Sequence, residues 1–358
     1  MDKDRIIIKF FGIKITFSKK KKKDFKLLSN FKSRGYDTLY IPVSGIGDGI
    51  IFTAVAKAIY EQSGKKLLVS HKHNELYKNN PYIETIENFY DPILTPEDIE
   101  YINKIGMKII YPTYWRFFKR DDKYNLKFPM QHIIAASAAN ANYTGKIKLK
   151  PELYLTEDEK KFGCLSENKK QIVIMSTAID PNKQWDKWQE LVDKIKDKYY
   201  VIQIGDITRD KKLEGVIDKR GQYTLRECAS VLYNSDLFVG QIGGLMHLAR
   251  AVNCPAVIAY SASEPYTFAS YPFNKNVICT NACVKCSQPG TSPYAEYCTD
   301  NYSCIKSITV EDMLSAIEEK INQPKDISLI DSEFIEYKSA GIIDYFKRYN
   351  MKYNMETK

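Results

Sequence analysis

The sequence predicts an α/β protein built from two doubly wound domains. Apolar strand-like runs alternate with amphipathic helical runs along most of the chain. A polar stretch near the middle interrupts this alternation, which then restarts. At 358 residues the chain also exceeds what one ordinary core fills.

The first 35 residues stand apart as a basic, apolar arm. They hold ten Lys and two Arg against three Asp, which accounts for the whole net charge of +9. The rest of the chain is charge-balanced, so no basic face for nucleic acid is expected. Ile6, Ile7, Ile8, Phe10, Phe11, Ile13, Ile15 and Phe17 precede the run Lys19–Lys23. Basic residues beside apolar ones suit an anionic membrane surface, at about 1 kcal/mol per charge. Ile13–Phe17 also alternates with strand period, which reads equally well as an edge hairpin of the first domain. No apolar run approaches the roughly 18–20 residues of a membrane span. The order of a signal peptide is missing as well. The expected location is cytoplasmic, peripheral on the inner face of the cytoplasmic membrane through residues 1–25.

In residues 36–165, strands are expected at Leu39–Val43, Lys66–Val69 and Lys108–Tyr111. Helices are expected at Ile50–Gln62 and at the alanine-rich Gln131–Asn142. The polar stretch Lys150–Lys170 marks the domain boundary. Residues 166–325 read as strand Ile172–Met175, helix Asp186–Lys196 and strand Tyr200–Ile204. A helix at Thr224–Leu232 opens with the capping-box pair Thr224 and Glu227. Strand Leu237–Val239, a helix after Gly244, strand Ala256–Tyr260 and helix Val310–Ile321 complete the second domain. Residues 326–358 form a C-terminal extension, with an amphipathic helical pattern over Phe334–Tyr349.

Four motifs carry chemistry. In IPVSGIGDGIIFTAVAKAI (residues 41–59), Ser44, Gly45 and Gly47 make a glycine turn between strand and helix, with Asp48 at its mouth. Ile50 stands where a dinucleotide fingerprint needs its third glycine, and no strand-end acid follows about 20 residues on, which disfavours a dehydrogenase. Asp48 is a candidate general base, or else a helix cap. In STAIDPNKQWDKWQEL (residues 176–191), Ser176, Thr177 and Lys183 suit a diphosphate. The plainer alternative is a surface lysine beside packing tryptophans. Asp206 ends a strand where a ribose hydroxyl could be met, and Tyr223 could line a base pocket. In LFVGQIGGLMHLARA (residues 237–251) a strand runs into Gly243 and Gly244, then into an apolar helix whose open first-turn N–H groups favour an anion.

Eight cysteines in a reducing compartment should stay mostly reduced. Cys283, Cys286, Cys298 and Cys304 are clustered, with two, eleven and five residues between them. Four thiolates would make a closed structural zinc or iron site. A loop with incidental cysteines, or a single disulfide, is the alternative. The scattered Cys164, Cys228, Cys254 and Cys279 read as small buried residues.

Taken in order, these pieces resemble the ADP-heptose:lipopolysaccharide heptosyltransferases, glycosyltransferase family 9. SGIGDG with its apolar helix, YKNNPYIETI (Tyr77–Ile86), NKQWDKW, GQYTLRECASVLYNSDLFVG, GGLMHLARA and a following cysteine segment match over about residues 36–320. The resemblance implies a GT-B fold of two facing Rossmann-like domains, the first for acceptor and the second for donor. By motif position Asp48 would be the catalytic base. Ser176, Thr177 and Lys183 would hold the donor diphosphate, Asp206 the ribose and Tyr223 the base. Gly243, Gly244 and the helix bearing His247 would complete the phosphate side.

One departure concerns the donor sugar. The family reads Gly-x-Asp-Ser/Thr-Gly before Leu-x-His, and its aspartate contacts the sugar. Ile242 occupies that position here and cannot accept a hydrogen bond. Gln241 is the substitute candidate. The cysteine spacing is similar to the four-cysteine iron site of a branch that glycosylates autotransporter proteins.

The expected activity is inverting transfer of heptose or a related sugar from a nucleotide-sugar, with an ADP-sugar favoured. The expected acceptor is a lipopolysaccharide- or capsule-type glycan or glycolipid, and no catalytic cofactor is required. Thr113–Arg120 (TYWRFFKR) would either contact anionic glycan or serve structure. The alternatives are protein O-glycosylation and a non-catalytic nucleotide-binding scaffold, which Ile242 would suit.

Overall fold

The structure, a computed structural model, describes residues 5–10, 13–18, 23–42, 45–90, 94–114, 119–121, 125–127, 132–166, 168–261, 266–279, 301–323 and 334–336. Strands β1 (Arg5–Phe10) and β2 (Ile13–Ser18) pair antiparallel, with Ile6 opposite Phe17 and Phe10 opposite Ile13. This hairpin is a two-stranded ladder of its own, not an edge of the first domain's sheet.

The first domain runs α1 (Phe25–Ser33), β3 (Thr38–Tyr40), α2 (Ile46–Ser63), β4 (Leu67–Val69), a 3-10 turn at Asn74–Tyr77, β5 (Ile83–Thr85), α3 (Pro96–Lys104) and β6 (Lys108–Ile110). A short hairpin, β7 (Lys119–Asp121) and β8 (Asn125–Lys127), then α4 (Ile133–Asn140) and β9 (Lys146–Lys148) follow. The four parallel strands lie in the order β5-β4-β3-β6. A three-residue strand in which only Ile83 is buried leaves little sequence signal, which explains why β5 escaped the periodicity.

α5 (Glu157–Phe162) sits in the polar stretch expected to separate the domains, opened by a full capping box of Thr156 and Glu159. The second domain runs β10 (Gln171–Ile174), α6 (Trp188–Ile195), β11 (Tyr200–Gln203), β12 (Ile217–Asp218), α7 (Leu225–Tyr233), β13 (Leu237–Gln241), α8 (Gly244–Ala251), β14 (Ala256–Tyr260), α9 (Tyr266–Ala269) and β15 (Asn274–Ile278). After them come α10 (Ser303–Lys306), α11 (Val310–Ile321) and β16 (Phe334–Glu336). The six parallel strands are ordered β12-β11-β10-β13-β14-β15, the winding of a dinucleotide-type Rossmann sheet. The first domain's sheet is the same winding cut short at four strands.

Alternation within the central strands splits the second sheet between two layers. Ile172, Ile174, Leu237 and Val239 pack on one face with Trp185, Trp188 and Leu191 from the α6 region and Met313 and Ile317 from α11. Val173 and Phe238 face the other way, toward α7 and α8. That second layer is continuous with α2 and α4 of the first domain, because Phe52, Val55, Ile134, Met246 and Leu248 belong to one buried cluster. The two domains therefore share core as well as a cleft.

Residues 334–336, expected to open an amphipathic helix, instead form β16, paired antiparallel with β9, Ile335 opposite Ile147. Pairing with an otherwise unpaired edge overrides the helical pattern there. The rest of the expected C-terminal helix lies outside the described residues. Among the described residues no helix is long and apolar enough to cross a membrane.

Candidate active site

In open α/β sheets a ligand binds beyond the strand carboxyl ends, where the winding order reverses. In the first domain that point lies between β3 and β6, so the segments leaving Tyr40 and Ile110 flank it. In the second it lies between β10 and β13, flanked by Met175–Thr177 and Ile242–Gly244. Three of the four sequence motifs are thus carried to one of two switch points, and the segment of Asp206 and Tyr223 follows β11 instead.

The two points meet through α2 and α8. A β-carbon built on Gly47 would lie 3.0 Å from His247 Cδ2, and one on Gly244 would lie 3.3 Å from the Gly47 backbone nitrogen. This corrects the turn expected from the glycines. Gly45 is the N-cap of α2, while Gly47 and Gly49 are already helical. They serve close approach rather than turn conformation. A β-carbon on Gly49 would press to 2.6 Å from His71 Cε1. Ser44 lies outside the described residues.

Asp48 is the third residue of α2, half-buried. Its carboxylate folds back over the cap, since a β-carbon on Gly45 would stand 2.3 Å from Asp48 Oδ2. Burial pushes the carboxyl up to about 7, against the lowering effects of a Tyr114 hydrogen bond, its own backbone N–H and the Lys183 charge. Burial penalises the charged form and the three favourable contacts only partly offset it. An acid titrating near neutrality at a switch point is poised to accept a proton.

At the second switch point, Lys183 ends a 3-10 turn at Pro181–Lys183, its Nζ 3.4 Å from Asp180 Oδ2. Its charge acts on both Asp48 and His247. His247 is buried and its Nδ1 shares a hydrogen bond of 2.7 Å with the Tyr271 hydroxyl. Burial, then His132 and Lys183, hold it far down at about 3, so it is neutral at physiological pH. Gly243 is the N-cap of α8 in extended backbone, with nothing nearer a built β-carbon than Met175 Cε at 3.7 Å.

Several expected contacts are already engaged within the protein. The Ser176 hydroxyl donates to the Asp210 carboxylate and accepts from Gln203 Nε2 at 3.0 Å. Thr177 Oγ1 accepts from Gln184 Nε2 at 3.0 Å. Gln241 does not reach the cleft: it is fully buried, its carbonyl oxygen accepting from the Trp185 backbone N–H and its Nε2 meeting Gln184 at 3.4 Å. It holds the Lys183 segment onto the sheet rather than meeting a sugar. Ile242 is buried in the core. Asp206 is exposed and closes a turn, accepting from the Thr208 N–H at 2.9 Å and its hydroxyl at 2.7 Å. Tyr223 is half-buried, edge-on to Phe162 with ring centroids 5.4 Å apart.

Sequence reasoning missed three groups. Asp210 is buried with Oδ2 unpartnered, pressed against Gly205, whose φ of +148° excludes a side chain. Arg226 on α7 binds Glu159 through Nε and Nη2, both at 2.6 Å, and also the carbonyls of Tyr154, Glu75 and Lys78. That guanidinium staples the second domain to the first and to the segment between them. Tyr114 on the β6 side is the third. Only its place in the aromatic run Thr113–Arg120 could have flagged it, and residues 115–118 of that run lie outside the described residues.

Cys283, Cys286 and Cys298 also lie outside the described residues. Cys304 stands on α10, buried in the same cluster as Cys279. Among the described residues no group of side chains gathers in a metal-binding arrangement.

Residues 119–293 match the family model described as glycosyltransferase family 9 (heptosyltransferase). No curated protein matches the chain. Among solved structures, the Escherichia coli ADP-heptose lps heptosyltransferase II superimposes with a TM-score of 0.57 at 16% identity, covering 80% of this chain and 98% of that one. The iron-containing dodecameric glycosyltransferase TibC from enterotoxigenic E. coli H10407 gives 0.62 at 15% identity, covering 80% and 78%. The family 9 glycosyl transferase from Veillonella parvula DSM 2008 gives 0.56 at 12% identity, covering 79% and 96%. At these identities the structural likeness establishes the fold, and the family match adds the activity class. The chain is a glycosyltransferase of the GT-B fold whose residues 119–293 match family 9, the heptosyltransferases.

Proposed function

We propose that the chain transfers a sugar from a nucleoside-diphosphate donor with inversion, using Asp48 as the base that deprotonates the acceptor hydroxyl. The supporting observation is the placement of a carboxyl titrating near 7 at one switch point, within reach of the Lys183 charge at the other. Asp48 takes the hydroxyl proton as the oxygen attacks the anomeric carbon. The bond from that carbon to the diphosphate breaks on the opposite face. Lys183 and the N–H groups opening α8 stabilise the departing negative charge. Ser176 and Thr177 shape the diphosphate cradle through the network that holds them, and Asp206 and Tyr223 border the nucleoside. Solved structures of TibC with ADP-D-beta-D-heptose and of WaaC with ADP-2-deoxy-2-fluoro heptose make an ADP-sugar the first donor to try.

The preferred acceptor is a cell-envelope glycan or glycolipid, reached at the inner membrane face through the basic, apolar residues 1–25. Supplying ADP-heptose with acceptor glycolipid and following the product anomer by NMR tests the reading. Release of ADP with an inverted product is expected, and a retained anomer would exclude the mechanism.

A second reading, protein O-glycosylation, is favoured by the four-cysteine spacing and by the iron-containing TibC. Four thiolates suit structural iron or zinc. Anaerobically purified protein should then carry about one metal equivalent, lost in Cys283→Ser.

A further inference from the structure

We infer that Tyr114 is a positioning residue for Asp48, tying the base to the donor domain. This rests on Asp48 being the base. Tyr114 follows β6, across the switch point from the segment that carries Asp48, and its hydroxyl donates to the Asp48 carboxylate.

The segment bearing Tyr114 is held from two directions. Ser137 Oγ on α4 donates to the Pro112 carbonyl at 2.8 Å, and Asn140 Nδ2 on the same helix donates to the Thr113 carbonyl. From the second domain, the buried Phe268 of α9 meets the Tyr114 ring edge-to-face, with centroids 5.5 Å apart and planes at 74°. Such a contact fixes ring orientation, and the ring fixes where the hydroxyl points. The carboxylate therefore has one face against the α2 cap and another against a phenol held by α4 and by the Phe268 ring of the second domain.

Tyr114→Phe keeps the ring and deletes the hydroxyl, so it separates orientation from packing. The titration of Asp48 can be followed by NMR in protein labelled with carboxyl-13C aspartate, with Asp48→Asn assigning the signal, and needs no substrate. Wild type should titrate near 7. In Tyr114→Phe the midpoint should rise by about half a pH unit or more, because a hydrogen bond to the charged form has gone. With ADP-heptose as probe, kcat for ADP release should fall about tenfold while KM stays within about twofold, the pattern of a group that acts on the reacting geometry. Tyr114→Ala should add a loss of thermal stability that Tyr114→Phe lacks. An unchanged Asp48 midpoint, or an unchanged kcat, in a folded Tyr114→Phe protein overturns the proposal. If Asp48→Asn keeps full activity, the base assignment falls and the positioning role falls with it. If Asp48→Asn is inactive and Tyr114→Phe is normal, only the positioning role is lost.

Discussion

The two domains share one winding order and put opposite chemistry at its reversal. In the first, the switch point carries a single carboxyl held near neutrality by burial that its few partners only partly offset. In the second, the switch point carries hydroxyls and amides bonded to one another, Thr177 with Gln184, Gln184 with Gln241, and Ser176 with Gln203 and with Asp210, whose other carboxylate oxygen stays unpartnered. A carboxyl left under-compensated beside the opening of a helix can take a proton, whereas hydroxyls and amides bonded to one another hold a shape. On the function proposed for the chain, the difference corresponds to a reactive side and a cradle built on one topology.

The sharpest way to break that contrast is Asp48→Asn, which keeps shape and removes the base. It should lower kcat by about 10²–10⁴ while leaving donor affinity nearly unchanged. The wild-type rate should fall as pH drops through about 7, because a carboxyl with a raised pKa is charged only above it.

Next in size is Arg226→Met at the interdomain staple. It strands Glu159 and three backbone carbonyls, and should cost about 3–5 kcal/mol in unfolding free energy. Arg226 holds Glu159 down at about 2, so the stability this pair contributes is full above the usual glutamate range near 4.5 and is lost as pH falls toward 2. The variant should flatten that acid limb in denaturant titrations.

Lys183→Met should weaken donor binding by about tenfold to a hundredfold, measured by calorimetry with ADP. It should also shift the Asp48 titration upward, since a cation that lowers it is removed.

The smallest effect compares two glycines, one on each side. Gly45→Ala drives a β-carbon into the Asp48 carboxylate, so kcat should fall more than thermal stability does. Gly243→Ala finds only Met175 Cε at 3.7 Å and an extended backbone, so the fold should change by less than about 0.5 kcal/mol. Any loss there should show as donor affinity.

The same contrast runs through what was legible in the sequence. β14 and α11 match their expected limits, and α7 begins at the expected Thr224 capping box, because long apolar runs and paired caps encode them locally. β12 and β15, reading Ile217–Asp218 and NKNVI, gave no periodic signal, since edge strands are short and carry polar residues. The motifs located both switch points. The roles of Gly47 and Gly49 could not be read, because a glycine that permits a close approach looks in sequence like a glycine that makes a turn. Asp210, Arg226 and Tyr114 were invisible for a related reason. Their partners stand far away in the chain, and nothing local records a contact made by the fold.

The most direct test of the division between reactive side and cradle is the pH dependence of ADP release from ADP-heptose in the presence of acceptor glycolipid, in wild type and Asp48→Asn. Wild type should show half-maximal rate near pH 7, set by the Asp48 carboxyl, and Asp48→Asn should bind ADP normally yet show neither the rate nor the titration. An Asp48→Asn protein that keeps the wild-type rate and the same acid limb would contradict the assignment of the reactive group to the first domain.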